Sequence, residues 1–263
     1  MTNKWLKVAL MVTAIATGTS IKIDAETVLY VPQDDRPVSL QYTVDTAREA
    51  GMTVLTPPQH LISGKTYQGQ ADQIMAWVEQ NAGRADVMVL STDTLIYGGL
   101  VDSRKHNIPL STLQNRLKRI EGLKARNKNV RIYGFGTVMR SPRASGGGTE
   151  PAYYAEYGPT IFQIAALQDK LDSGSLTQEE TQKLMSLQAS VPVEYLQDWF
   201  ARRQKNMKIN KELIDETRSG VFDYFALGHD DTSQLSQSAL EGRYLNKYSK
   251  DISVEKYGSF PGA

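Results

Sequence analysis

From residue 27 onward, short apolar runs alternate with amphipathic stretches, and that alternation predicts the architecture. Thr27-Val28-Leu29-Tyr30-Val31 is an apolar, β-branched run that predicts a buried strand. Pro37 then opens a helical stretch to Ala50, with Gly51 at the position that commonly follows a helix C-terminus. Met52-Thr53-Val54-Leu55 predicts a second strand, stopped by Pro57-Pro58. Ala71, Ile74, Met75 and Val78 share one face of a helix from Gln70 to Asn81, and Gly83 closes it. Val87-Met88-Val89-Leu90 predicts a third strand and Val130-Arg131-Ile132-Tyr133-Gly134-Phe135 a fourth. Between them, Leu110, Leu113, Leu117, Ile120 and Leu123 recur at helical spacing.

The middle of the chain changes period. From about 159 to 218 the pattern is helical throughout, with a polar turn near Ser173-Gly174 and a break at Ser190 to Pro192. Thr177 and Glu180 have the spacing of a capping box. Strand character resumes at Phe222-Asp223-Tyr224-Phe225-Ala226-Leu227, and a helix follows over Ser236 to Leu245. Val254 to Ala263 predicts no closing element. Strands separated by helices imply parallel βαβ units. The fold class is therefore α/β, as an incomplete (β/α)8-like barrel or an open doubly wound sheet. In either form it is a single domain over 26–263 that carries the helical insertion. The chain stops before a barrel would close, which predicts a domain shortened at its C-terminus.

Composition narrows the function classes. The 263 residues are 40% hydrophobic, enough for one sizeable core, and the formal net charge of +1 offers no attraction to nucleic acid or an anionic membrane. Arg116, Lys118, Arg119, Lys124 and Arg126 form a basic helix face, but no aromatic platform accompanies it, so it reads as solvated. The absence of cysteine excludes disulfides, thiolate metal ligands and a cysteine nucleophile. Lys4 and Lys7 precede an apolar run over Val8 to Ala16, and small residues lead to Ala25. That layout predicts a signal peptide over 1–25 and export to the periplasm or beyond, with no membrane association after the leader is cut.

In parallel α/β folds functional groups gather at the C-terminal ends of strands. The first strand ends in Asp34-Asp35-Arg36, the third leads to Asp93, Tyr97 and Arg104, the fourth to Arg140 and Glu150, and the fifth to His229-Asp230-Asp231. Each aspartate taken singly also suits a helix cap, and each arginine a structural ion pair. Their convergence on one rim points to a site, because crowded carboxylates push their pKa values apart as acid and base roles require. The triple glycine at 146–148 lacks the lysine and hydroxyl of a P-loop, and no histidine pair has metal-ligand spacing.

Tyr30-Val31-Pro32-Gln33-Asp34-Asp35-Arg36-Pro37-Val38-Ser39 and the stretch from Asp93 to Arg104 resemble the signatures of domain of unknown function 4127, a bacterial family. Gly228-His229-Asp230-Asp231 with Glu241 is similar to a later block of that family, so the likeness runs from about Val28 to Leu245. A fainter resemblance, to glycosidases with barrel domains, rests on an Asp-Asp pair after a strand. The expectation is a carbohydrate-active hydrolase acting on a glycan or other small molecule. Asp35 and Asp230 are its preferred catalytic carboxylates, with Asp34 and Asp231 as their neighbours. Arg36, Asp93, Tyr97, Arg104 and Arg140 are expected to hold substrate. No cofactor is expected, although the hard oxygen donors Asp34, Asp93, Asp230 and Asp231 also suit Mg²⁺ or Ca²⁺. A non-catalytic envelope or glycan-binding protein is the third reading.

Overall fold

The computed structural model describes residues 25–144, 147–230 and 233–260. Apart from Ala25, the leader expected over 1–25 lies outside them. Among the described residues six strands form one parallel sheet, in the order β2-β1-β3-β4-β5-β6. These are β1 (Thr27–Val31), β2 (Thr53–Leu55), β3 (Val87–Ser91), β4 (Arg131–Val138), β5 (Tyr224–His229) and β6 (Tyr257–Phe260). The helices between them are α1 (Gln41–Glu49), α2 (Ala71–Asn81), α3 (Thr92–Tyr97), α4 (Leu100–Lys105) and α5 (Leu110–Arg126). They are followed by α6 (Tyr154–Asp172), α7 (Gln178–Ala189), α8 (Val193–Ser219) and α9 (Gln237–Asp251). The sheet is open, with β2 and β6 as its edges, and of the two architectures expected it is the open one.

The chain leaves β1 toward β2 in one direction and fills β3 to β6 in the other. Right-handed crossovers then require α1 on one face and the later helices on the opposite face. The packing agrees. Leu29, Val31, Met88, Leu90, Ile132 and Phe225 join apolar residues of α2, α5 and α8 in the main core. On the other face Thr43 and Ala47 of α1 stand over Val28, Tyr30 and Val54, leaving a groove that reaches Val89 and Tyr133. β4 records this one-sidedness, since its buried and half-buried residues alternate strictly after Arg131.

Several boundaries differ from the sequence reading. The helix expected from Pro37 begins at Gln41, because residues 36–40 first form a turn in which Ser39 and Leu40 donate to the Arg36 carbonyl. β6 stands where no element was expected and pairs in parallel with β5. Its four residues include glycine and serine, so it carries no apolar run, and its pairing is supplied by the exposed edge of β5. The helical middle section packs around a second cluster, in which Tyr154, Ile161, Ile164 and Leu184 surround Trp199. Thr177 and Glu180 form the reciprocal capping box at the start of α7. No helix of the described residues is long and apolar enough to cross a membrane.

Candidate functional site

Strand order reverses between β1 and β3, and in open parallel sheets ligands bind outside the carboxyl ends of the strands at such a point. A cleft of about 340 Å³ lies there. It draws lining residues from the ends of β1, β4 and β5, from α4 and from the loop after β2.

The β1 end is held by the segment that follows β3. Thr94 Oγ1 donates to the Pro32 carbonyl at 2.6 Å, and the Leu100 amide donates to the Gln33 carbonyl at 3.4 Å. Asp34 is 6% exposed and turns back on its own loop, accepting from the Arg36 amide at 3.2 Å and from Arg36 Nε at 2.8 Å. Asp35 goes elsewhere. Its amide donates to the Ser63 carbonyl at 2.9 Å, its carboxylate accepts from the Tyr67 hydroxyl, and it does not line the cleft.

The segment after β3 turns directly into α3, whose first turn Ser91 caps by accepting from the Thr94 amide. All six α3 residues are buried. Asp93 therefore lies under the cleft floor, accepting from Gln33 Nε2 at 3.1 Å and from Thr137 Oγ1 at 2.8 Å, both of which line the cleft. Burial raises its pKa to about 6; the bonds from Gln33 and Thr137 oppose the rise, and the charge of Asp230 adds to it. Tyr97 is also in the core rather than in the cleft, with its ring 4.9 Å from that of His106.

Gly98, at φ 110°, and Gly99 then turn the chain into α4. A Cβ on Gly99 would stand 1.8 Å from Ser63 Oγ, so only glycine lets the loop after β2 close against this turn. That closure brings Gly64 and Lys65 to the cleft. Arg104, on α4, has a side chain 5% exposed that pairs with Asp230 and stands 3.9 Å from Glu150. Among the described residues, Arg104 Nε makes no hydrogen bond.

The β4 end contributes Thr137 and Arg140. Arg140 Nε donates to Glu150 Oε1 at 2.8 Å and its Nη2 donates to Thr149 Oγ1 at 2.8 Å. β5 contributes Gly228, His229 and Asp230, and His229 Nε2 lies 3.0 Å from Ser259 Oγ on β6. Asp231 lies outside the described residues. Of the residues named from sequence, Asp34, Arg36, Arg104, Arg140 and Asp230 share the cleft, Asp93 lies beneath it, and Asp35 and Tyr97 stand apart. Tyr153, Tyr154 and Tyr157 belong to the second core cluster, where Tyr153 stacks on Tyr195 at 4.7 Å. Among the described residues, no group of three or more His, Asp or Glu side chains is disposed to hold a metal ion.

Sequence reasoning missed Lys65 and Arg203. Arg203, on α8, is 1% exposed; it donates to both Glu241 carboxylate oxygens at 2.8 Å and to the Met139 and Arg140 carbonyls at 2.7 and 3.0 Å. It fixes the β4 end from behind. The available signal was spacing, since Trp199, Arg203, Asn206, Asn210 and Leu213 continue one buried stripe through polar residues.

No curated protein matches the chain. The family model described as "Protein of unknown function (DUF4127)" matches residues 28–263, and the chain belongs to that family.

Proposed function

We propose that the cleft is the active site of an exported carbohydrate-active hydrolase. The observation that supports this reading is that Asp34 and Asp230, which follow β1 and close β5, line one cleft from opposite sides of the strand-order reversal. Each is oriented by an arginine, Asp34 by Arg36 and Asp230 by Arg104. Hydrolysis of a glycosidic bond needs two carboxyl groups flanking the bond, one protonating the leaving oxygen and one serving as base or nucleophile. Asp230 and Asp34 take those roles. Asp93 positions Gln33 and Thr137 from below and does not touch substrate. The lysine-led apolar start and Ala25 support export.

The test is turnover of a panel of glycosides and bacterial polysaccharides by the whole chain, by Asp230→Asn and by Asp34→Asn. The expected loss on removing either carboxylate is about 10²-fold or more in kcat. Turnover that survives both substitutions, or no turnover on any glycan, refutes the reading.

A further inference from the structure

We infer that this cleft takes a substrate bearing a compact anion, a carboxylate or phosphate ester on a sugar, and that Arg36, Lys65, Arg104 and Arg140 hold it. The inference rests on the hydrolase reading and specifies its substrate. Among the described residues, the lysine and arginine side chains lining the cleft number four, against the lining carboxylates Asp34 and Asp230 and the buried Glu150 that pairs with Arg140, an excess of one positive charge. The four cations come from the loop after β1, the loop after β2, α4 and the end of β4, so no single helix or loop accounts for their convergence.

The two inner arginines both approach Glu150, and Arg104 also pairs with Asp230. Glu150 Oε1 accepts from Arg140 Nε at 2.8 Å and stands 3.9 Å from Arg104 Nη1. Burial lowers the pKa of Arg104, the charge of Asp230 opposes that fall, and the nearby charge of Arg140 adds to it. A guanidinium carries five N–H donors, and Arg104 Nε is buried without an acceptor. With Arg36 paired to Asp34, Arg104 to Asp230 and Arg140 to Glu150, the described set carries one cation in excess. An oxyanion offsets that charge while its lone pairs meet the remaining donors, and a neutral sugar does not. Arg36, with its side chain 54% exposed, and the exposed Lys65 supply the outer contacts. The cleft volume of about 340 Å³ is at the lower end for ligand sites, which favours a small unit over a polymer strand.

The experiment measures melting temperature and calorimetric binding for the whole chain with sodium glucuronate, inorganic phosphate and glucose at constant ionic strength. A rise in Tm with glucuronate or phosphate and none with glucose is the expected result. Glucuronate alone identifies a carboxylate, and phosphate alone a phosphate ester. Affinity falls about tenfold or more in Lys65→Gln, at an exposed side chain, and in Arg36→Gln, whose Tm without ligand measures separately the loss of its pair with Asp34. Glucose binding equal to glucuronate, no response to either anion, or anion binding unmoved in both variants overturns the inference. Anion binding with these losses, but no hydrolysis of any uronide or sugar phosphate, keeps the inference and removes the hydrolase reading. Hydrolysis confined to neutral glycosides does the reverse.

Discussion

Replacing Asp93 with asparagine measures what it costs to keep a carboxylate under the cleft floor. Asp93 is 2% exposed, and its pKa stands at about 6 against an ordinary value of 3.8. Because the folded value is the higher one, the fold favours the protonated form. The resulting stabilisation is full below the ordinary pKa and is lost as pH rises through 6. At about 1.4 kcal/mol per pKa unit, the ionised group costs the fold about 3 kcal/mol above pH 7 and about 0.5 kcal/mol at pH 4. Asparagine does not titrate, so Asp93→Asn gains on the wild type as pH rises. The amide also rearranges the bonds from Gln33 and Thr137, but that change is the same at every pH. The slope therefore carries the test, not the absolute difference. Urea denaturation of both proteins between pH 4 and pH 8 should show their stability difference moving by about 2–3 kcal/mol in favour of asparagine. In thermal melts the same change is about 6–10 °C. A difference that stays flat across this range refutes the burial argument.

The other expected outcomes follow the same physical logic. Burial depresses the His106 pKa to about 4, with the bond to Asn206 opposing it, so His106 contributes stability above pH 6.5 that is lost as pH falls through 4. His106→Gln should remove about 3 kcal/mol of that acid-side slope, and unchanged steepness in acid denaturation would contradict it. Gly99→Ala forces a Cβ to within 1.8 Å of Ser63 Oγ and should lower stability by about 1–3 kcal/mol, with Ser63→Gly in the same chain recovering part of the loss. Full stability in the single variant would mean that the turn has room to move. Arg203→Met leaves Glu241 buried without its partner and should cost about 3–5 kcal/mol, while Arg203→Met with Glu241→Gln costs less than the two single changes added. Additive losses in that double-mutant cycle would show that the pair is not coupled.

The strands from β1 to β5 were legible because each is an apolar run between helical periods, a signal that survives without tertiary information. β6 was not, since Tyr257-Gly258-Ser259-Phe260 becomes a strand only through the ladder it completes with β5. The rim was legible at Asp34, Arg36, Arg104, Arg140 and Asp230, because parallel topology carries strand ends to one edge. Asp93 and Tyr97 were assigned to that rim as loop residues. The sequence also held the contrary signal, a serine cap at Ser91 and a glycine at Gly98 bounding a short helix that turns inward. Asp35 could not be separated from Asp34 by position alone, since the partner that draws it away, Tyr67, is 32 residues further along the chain.

The cleft depends on the helical middle section through one end of one strand. β4 outruns β3, because the last pair between them is Ser91 with Phe135, while β4 continues along β5 to Val138. Among the described residues, the carbonyls just beyond β4 therefore have no neighbouring strand on the β3 side, and buried carbonyls left unpaired are costly. Met139 O is met by Arg203 Nη2 at 2.7 Å and by Ser238 Oγ at 2.6 Å, one from α8 and one from α9. Arg140 O is met by Arg203 Nη1 at 3.0 Å. The backbone that presents the Arg140 side chain to Glu150 is thus fixed by helices behind the sheet. A change in the packing of α8 reaches the cleft through these bonds, which makes Arg203 a positioning residue for Arg140 although it lines no part of the cleft itself.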